Sequence, residues 1–259
     1  MSRDTHTGVH RVEQIMGTAI SIEIADPLAG DLAHDLVTAA FDWFREVDAR
    51  FSTYKSDSEI CRVHRGEIRS DDRSLPLRHV LDECHRLWRV TGGYFDVFAP
   101  GRLDPSGYVK GWSVQVASDA LAAAGAPNHC VNAGGDVYAR GHAGSGQPWR
   151  VGIQHPWEKD QVAWVLELTG TAVATSGTYE RGLHVIDPFT GRGADELVSV
   201  TVVGADLATA DAYATAAVAM GHKGLAWLGA LDGYESAAIT ADGHAYVSAG
   251  LPVVDASYQ

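Results

Sequence analysis

The apolar residues in the first part of the chain change from strand-like to helical spacing. Apolar and polar positions alternate from Val9 to Ile24, with a break at Met16–Gly17, which predicts two strands joined by a tight connection. From Asp31 to Phe51 the apolar residues recur at helical spacing, and Asp31 is placed to cap the helix. Two further helices are predicted, each ended by a glycine, at Leu77–Thr91 and Lys110–Ala124.

After Pro127 the chain is dominated by short apolar runs that are typical of strands. The predicted strands are Cys130–Asn132, Val137–Arg140, Arg150–Gln154, Ala163–Leu168, Thr171–Thr175, His184–Ile186 and Leu197–Val203. Two helices and two closing strands follow, at Thr209–Met220, Lys223–Leu231, Ser236–Thr240 and Ala245–Ser248. Because helices concentrate early and strands in the middle, the pattern favours an α+β fold over a regular alternation of strands and helices.

The composition is that of an ordinary globular protein. The chain has 259 residues, 46% hydrophobic and 20% charged, which excludes a disordered or collagen-like chain. Lys and Arg number 20 against 33 Asp and Glu, which gives a net charge of −13. An acidic surface repels phosphate backbones, so no nucleic-acid partner is expected. Any anionic substrate must instead be met by a local cation.

The cysteine pattern and the N-terminal residues indicate the cellular compartment of the protein. Cys61, Cys84 and Cys130 are odd in number and widely spaced, as expected for reduced thiols rather than a disulfide framework. The polar stretch from Met1 to His10 has no apolar run of signal-peptide length. No apolar stretch approaches the roughly 20 residues needed to span a bilayer. We therefore expect a cytoplasmic protein without membrane insertion.

Several common site motifs are absent from the sequence. It has no Gly-x-Gly-x-x-Gly, no Walker loop, no His-Glu-x-x-His and no Gly-x-Ser-x-Gly. Cys61, His64, Cys84 and His85 could supply four zinc ligands. However, neighbours on a helix point about 100° apart, so scattered thiols and histidines are the favoured interpretation.

A more specific feature lies on the helix predicted at Thr209–Met220. Asp211 and Thr215 are four residues apart and therefore share one helical face. A carboxylate and a hydroxyl together offer the hard oxygen ligands that Mg²⁺ or Ca²⁺ prefers. The spacing alone favours the structural alternative, in which the acidic residue complements the helix dipole and the threonine bonds back to its own helix.

Four further segments fit a ligand site but also fit ordinary structure. Asp104 to Lys110 places a lysine and a glycine-bearing turn at a helix start, which is compatible with phosphate binding or with a solvated charge. His184 stands beside an Asp-Pro turn, as either a general base or a structural histidine. The small-residue turns at Asn132–Asp136 and Ala174–Gly177 would admit a ligand close to the backbone.

Taken in order, these segments resemble a known family, the FAD:protein FMN transferases, or ApbE-like flavin transferases. The resemblance covers roughly residues 12 to 240. The matching motifs are Met16-Gly-Thr18, Phe51-Ser-Thr-Tyr54 with Asp57-Ser-Glu59, Gly92-Gly-Tyr-Phe-Asp96, Asp104-x-x-Gly-x-x-Lys110-Gly, Asn132-x-Gly-Gly-Asp136, Ala174-Thr-Ser-Gly-x-Tyr-Glu-Arg181, His184-x-Ile-Asp-Pro-x-Thr-Gly191 and Ala210-Asp-Ala-Tyr-Ala-Thr215. Eight motifs in order are far more specific than any one of them.

The resemblance implies a role for individual residues. The Mg²⁺ ligands would be the side chains of Asp211 and Thr215 and the backbone carbonyls of Gly107 and Ala214. The FAD site would be lined by Met16, Tyr54, Tyr94, Phe95, Asp96, Asp104, Lys110 and Ile186. Within this set, the Tyr54 ring would lie against the isoalloxazine. His184 would be the catalytic base.

The resemblance also implies a fold and a reaction. We expect a T-fold-like α+β architecture with mixed sheets, packed helices and a flavin cleft between two interleaved lobes, in one domain over residues 1–259. The reaction would be Mg²⁺-dependent transfer of FMN from FAD to a Thr or Ser hydroxyl of an acceptor flavoprotein, with AMP leaving. An FAD pyrophosphatase that yields free FMN and AMP, or a non-catalytic FAD-binding protein, are the alternatives.

The chain departs from the family pattern in four respects. It is a short form without the signal peptide and lipobox that family members commonly carry. Only Val97–Leu103 remains of the usual helical insertion before Asp104, and the stretch from Arg181 to His184 is also shortened. Pro105 replaces an apolar residue in the Asp104 motif. The two shortened segments lie beside the expected site, where they could open it, alter acceptor choice or remove transferase activity.

Overall fold

The computed structural model describes residues 8–158, 160–177 and 184–256. The α-helices in these ranges are α1 Leu32–Phe51, α2 Glu59–His64, α3 Leu75–Val90, α4 Ser106–Ala123, α5 Leu207–Met220 and α6 His222–Leu228, with a short 3₁₀ helix at Ser70–Asp72. Among the described residues, no helix combines the length and apolar character needed to cross a membrane.

The strands of the described residues form antiparallel sheets. Their bounds are β1 Val9–Ile15, β2 Thr18–Ile24, β3 His129–Ala133, β4 Asp136–Arg140, β5 Trp149–Gln154, β6 Val162–Leu168, β7 Thr171–Gly177, β8 Ile186–Asp187, β9 Arg192–Gly193, β10 Leu197–Gly204, β11 Glu235–Thr240, β12 Ala245–Val247 and β13 Val253–Ala256. Eight strands make the main sheet in the order β1-β2-β3-β4-β7-β10-β11-β12, and β13-β6-β5 make a smaller one. The expected α+β class is confirmed, with antiparallel rather than mixed pairing.

Two hydrophobic cores lie on opposite faces of the main sheet. On β7, Ala172 and Ala174 pack into the core shared with the helices, whereas Val173 between them packs into the core shared with the small sheet. Because successive side chains of a strand point to opposite faces, one strand feeds both cores. The molecule is therefore layered as helices, main sheet and small sheet.

Several elements differ from the sequence prediction. Helix α4 begins at Ser106, four residues before the predicted Lys110, because Asp104 Oδ1 accepts the Ser106 N–H at 3.1 Å. The strand predicted at His184–Ile186 is reduced to β8, whose Asp187 side chain turns the chain at once by accepting the Phe189 N–H at 2.9 Å. Helix α2 and the strands β9 and β13 were not predicted, since each is too short to show a period.

Helix α5 passes through the centre of the structure and packs tightly on α4. Almost every residue of α5 is buried, and its alanines keep its surface thin enough for close packing. A Cβ added to Gly111 of α4 would lie only 2.6 Å from the Leu207 carbonyl and 3.0 Å from the Ala208 Cα. Glycine at position 111 therefore sets the distance between the two helices.

We predict that Gly111→Ala strongly destabilises the protein, by about 2 kcal/mol, because the new methyl group overpacks the helix contact. Gly229→Ala is the matched control. Its Cβ would meet nothing closer than 3.6 Å, and its φ of −66° suits alanine. Urea unfolding of both variants measures the difference, and equal stabilities would contradict the proposed close contact.

His129 at the start of β3 is buried and fully bonded. Its Nδ1 lies 2.6 Å from the Ala126 carbonyl and its Nε2 lies 2.7 Å from Ser118 Oγ of α4. Burial disfavours the imidazolium and lowers the pKa of His129 below its usual 6.5. The neutral ring thus joins the main sheet to helix α4.

This burial makes stability depend on pH. Below pH 6.5 the unfolded chain protonates the imidazole more readily than the folded one, so the free energy of unfolding falls as pH decreases towards the folded pKa. We expect His129→Gln to remove this component, which amounts to at most about 1.4 kcal/mol per pH unit. Unfolding at pH 7.5 and 5.5 tests it, with the exposed His79→Gln as control. An unchanged pH slope in His129→Gln would refute the assignment.

Candidate functional site

Thr215 of α5 lies where α4, α5 and β7 meet. Its Oγ1 is 3.1 Å from the Ser176 Oγ of β7. A Cβ on Gly107 would come within 3.1 Å of the same Thr215 oxygen and 3.3 Å of the Phe95 ring. The absence of a side chain at position 107 therefore leaves two hydroxyl oxygens beside the first turn of α4.

Asp211 lies one turn earlier on the same face of α5. Its side chain is buried, and its Oδ2 accepts the backbone N–H of Gly111 at 3.2 Å. In a regular helix that N–H would bond only to the Gly107 carbonyl, four residues back. Because the Gly111 N–H also bonds to Asp211, the Gly107 carbonyl oxygen is less fully engaged within the helix and is better able to coordinate a cation.

A second carboxyl group, Asp136, adjoins Asp211. It begins β4 and is completely buried, and the Lys110 Nζ lies 2.6 Å from its Oδ1. Burial and the neighbouring Asp211 carboxylate raise the pKa of Asp136 well above its usual value, while Lys110 opposes this rise. Two carboxyl groups and one ammonium thus form a single charge cluster, defined by Asp136, Asp211 and Lys110.

The turn between β3 and β4 fixes the position of Asp136. Gly134 and Gly135 have φ values of 54° and 90°, which glycine adopts readily. The Gly135 N–H is bonded to Asn132 Oδ1 at 3.2 Å, and the Gly134 N–H to the Ala19 carbonyl of β2 at 3.3 Å. The bond to Ala19 places the β3–β4 turn beside the β1–β2 turn. Met16, with a φ of 58°, lies in that β1–β2 turn.

Tyr54 lies in the exposed loop between α1 and α2. Its ring is 86% exposed and is covered on one side by the Arg102 guanidinium, 5.5 Å from the ring centre. Arg102 also bonds to Thr53 Oγ1 at 3.2 Å and lies 3.6 Å from Asp104. The short loop Val97–Leu103 therefore supplies a cation that joins two of the predicted site residues.

Tyr94, Phe95 and Asp96 follow α3 and have different surroundings. Phe95 is buried against the core, whereas the Tyr94 ring packs against the exposed Phe189 at an interplanar angle of 58°, with centroids 4.8 Å apart. Asp96 Oδ1 accepts the Phe98 N–H at 2.8 Å. A surface pocket of about 470 Å³ is lined here by Trp88, Arg89, Gly92, Gly93, Asp96, Pro188 and Phe189.

His184 lies on the segment that leads into β8, and Ile186 is the first residue of that strand. His184 is exposed, and Ile186 is half-buried and pairs with Gly193. Residues 178–183, which include Arg181 of the predicted motif, lie outside the described residues. The role of His184 as a base therefore stays a prediction.

The structure brings several predicted site residues together, with the buried Phe95 ring beside them, whereas Tyr54 stands in an exposed loop. Asp211, Thr215, Gly107 and Lys110 meet around the first turns of α4, and Ala214 is fully buried within α5. Ser176, Asp136 and Arg102 join the site although the sequence assigned them no role. The motifs named Ser176 and Asp136 only as parts of tight turns, and no motif covered Arg102.

The donor set fits a hard cation. The Asp211 carboxylate and the Thr215 and Ser176 hydroxyls lie beside the first turns of α4. Carboxylate, hydroxyl and carbonyl oxygens are the ligands that Mg²⁺ prefers. Among the described residues, no group of three or more His, Cys, Asp or Glu is arranged to bind a metal. A second pocket, of about 660 Å³ beside α1 and α2, contains none of the predicted site residues.

The fold and the site together define an α+β protein with a buried centre of oxygen donors beside one lysine. Comparison with known proteins identifies the group: the chain belongs to the ApbE family, whose model matches residues 16–101 and 98–238. It is 38% identical to an FAD:protein FMN transferase of Vibrio cholerae, over 83% of this chain and 82% of the relative.

Solved structures agree with this membership. The flavin transferase ApbE from Vibrio cholerae superposes with a TM-score of 0.81 at 29% identity, covering 93% of this chain and 97% of that one. The ApbE protein of Thermotoga maritima also reaches a TM-score of 0.81, at 20% identity and with 94% of this chain covered, and supports the fold. The family resemblance noted in the sequence is confirmed.

The buried ion pair gives a prediction about stability. Lys110→Met should destabilise the protein by about 3 kcal/mol, because it leaves the Asp136 carboxyl buried without its counter-ion. Arg140→Met is the matched control, since it breaks a 2.6 Å ion pair with the mainly exposed Asp119 and should cost less than about 1 kcal/mol. Chemical denaturation compares the two, and similar losses would show that Lys110 is not essential to the buried cluster.

Proposed function

We propose that the protein transfers FMN from FAD to a Thr or Ser hydroxyl of an acceptor flavoprotein, in a Mg²⁺-dependent reaction that releases AMP. The observation that carries the proposal is the meeting of Asp211, Thr215 and Lys110 at the first turns of α4. The type of reaction is inferred from membership of the ApbE family and from the names of the relatives.

The metal would be held by oxygen atoms of α4 and α5. Asp211 and Thr215 offer a carboxylate and a hydroxyl, and the Gly107 and Ala214 carbonyls complete the proposed set. A bound Mg²⁺ supplies charge neutralisation for the pyrophosphate as the bond to AMP breaks. The hydrogen bond from the Gly111 N–H to Asp211 supports the Gly107 carbonyl as a metal ligand, because it reduces the demand on that carbonyl within the helix.

The remaining residues would bind FAD and prepare the acceptor. Tyr54 offers an exposed aromatic face for the isoalloxazine ring. Lys110 provides a cation for the pyrophosphate on an otherwise acidic protein. His184 would take the proton of the acceptor hydroxyl. The hydroxyl oxygen then forms a bond to the phosphorus next to riboflavin, while the bond from that phosphorus to the AMP oxygen breaks.

The test is a transfer assay with purified protein, FAD, Mg²⁺ and a flavin-domain acceptor. We expect a flavin-fluorescent acceptor band and one AMP per FMN transferred. Asp211→Asn should lower the rate about 100-fold or more, because the site loses a charged metal ligand, and EDTA should abolish it. Asp119→Asn, on the outer face of α4, is the control and should act like the wild type.

Other outcomes would indicate a different activity for this protein. Free FMN and AMP formed without acceptor would replace transfer by FAD hydrolysis. FAD that is bound and remains unchanged with Mg²⁺ and acceptor would indicate a binding protein. The acceptor's identity is left to the experiment, and the cytoplasmic location expected from the sequence stays a prediction.

A further inference from the structure

We propose that Asp136 is a positioning residue for the transfer reaction: its buried carboxyl group holds the Lys110 ammonium next to Asp211, where the ammonium meets the pyrophosphate of FAD. This inference rests on the proposed function and adds to it a residue that contacts neither FAD nor metal directly. Its basis is the 2.6 Å contact between the Lys110 Nζ and Asp136 Oδ1.

The position of Asp136 is itself strongly determined. The two glycines of the β3–β4 turn, Gly134 and Gly135, are bonded to β2 and to Asn132 respectively. Asp136 then pairs with Ala133, the pair of the β3–β4 ladder that lies next to this turn. Since the main sheet fixes its backbone, the carboxyl group can fix the end of a long side chain arriving from α4.

The Lys110 ammonium contacts Asp136, and the Lys110 side chain is also partly exposed to solvent. Its side chain is 22% exposed, whereas that of Asp136 is fully buried. An ammonium has three N–H donors, so an anion can approach Lys110 from the open side without displacing Asp136. The next residue, Gly111, donates its N–H to Asp211. Consecutive residues of α4 therefore bind the two carboxyl groups.

Holding the lysine in advance has an energetic purpose. A free lysine side chain loses rotamer entropy when it is fixed, and a pre-positioned group does not incur that loss during the reaction. A buried ion pair is weak support for stability, because well-packed apolar residues often serve as well. A role for Lys110 towards an anion accounts for this costly arrangement on a protein with a net charge of −13.

A double-mutant cycle tests the inference with Asp136→Asn, Lys110→Met and the double variant. We expect Asp136→Asn to lower kcat/KM for FAD about 10- to 100-fold. The double variant should be no slower than Lys110→Met alone, because Asp136 acts through Lys110. Additive losses would overturn the proposal, as would an Asp136→Asn variant with wild-type kinetics. Asp119→Asn again serves as control.

A second measurement uses only wild-type protein and is independent of turnover and of variant folding. The chain has four lysines, Lys55, Lys110, Lys159 and Lys223, so acylation of each can be followed by mass spectrometry. FAD added with EDTA present should slow acylation of Lys110 several-fold and leave the exposed Lys223, which lies on α6, unchanged. Flavin fluorescence in the same samples measures binding.

The outcomes separate this inference from the proposed function. If wild-type protein neither binds FAD nor transfers FMN, the proposed function fails and the inference falls with it. If FAD binds and FMN is transferred, but Lys110 is not protected or the cycle is additive, only the role of Asp136 fails. Protection of Lys110 together with a non-additive cycle supports both.

Discussion

The contact between α4 and α5 is the constraint on which the site depends. At Gly111 the two helices approach so closely that a single methyl group would meet the backbone of the other helix. Only at this distance does the Gly111 N–H reach Asp211, and only then does Gly107 lie beside Thr215. The alanines of α5 serve the same end, since larger side chains would move its carboxylate and hydroxyl away from α4.

Charge inside the molecule is organised differently from charge on its surface. The surface is acidic, and many of its ion pairs are exposed and contribute little. The buried cluster holds Asp136 and Asp211 against Lys110, so with both carboxyl groups ionised it carries one excess negative charge. A divalent cation would neutralise this excess and leave positive charge for a phosphate group, which explains how an acidic protein can favour a polyanionic ligand.

The sequence predicted the parts of the site that lie within one element. Asp211 and Thr215 share a helical face because helical spacing determines it, and the structure places both beside α4. The pairing of Asp136 with Lys110 could not be predicted by spacing, since they lie 26 positions apart on a strand and a helix. Their meeting depends on how the main sheet packs on α4, which no local pattern encodes. Arg102 was missed for a related reason: its contacts join two loops.

The site therefore has a rigid part and an exposed part with different physical origins. The ionic residues arise from buried helix and strand positions, where close packing keeps each donor in place. The aromatic residues Tyr54 and Phe189 stand on surface loops and are mostly exposed. Under the proposed function, a substitution in these loops would alter flavin or acceptor binding without disturbing the oxygen centre. Shortened loops such as Val97–Leu103 are thus compatible with an intact reaction centre, because the residues proposed to hold the metal lie on α4 and α5.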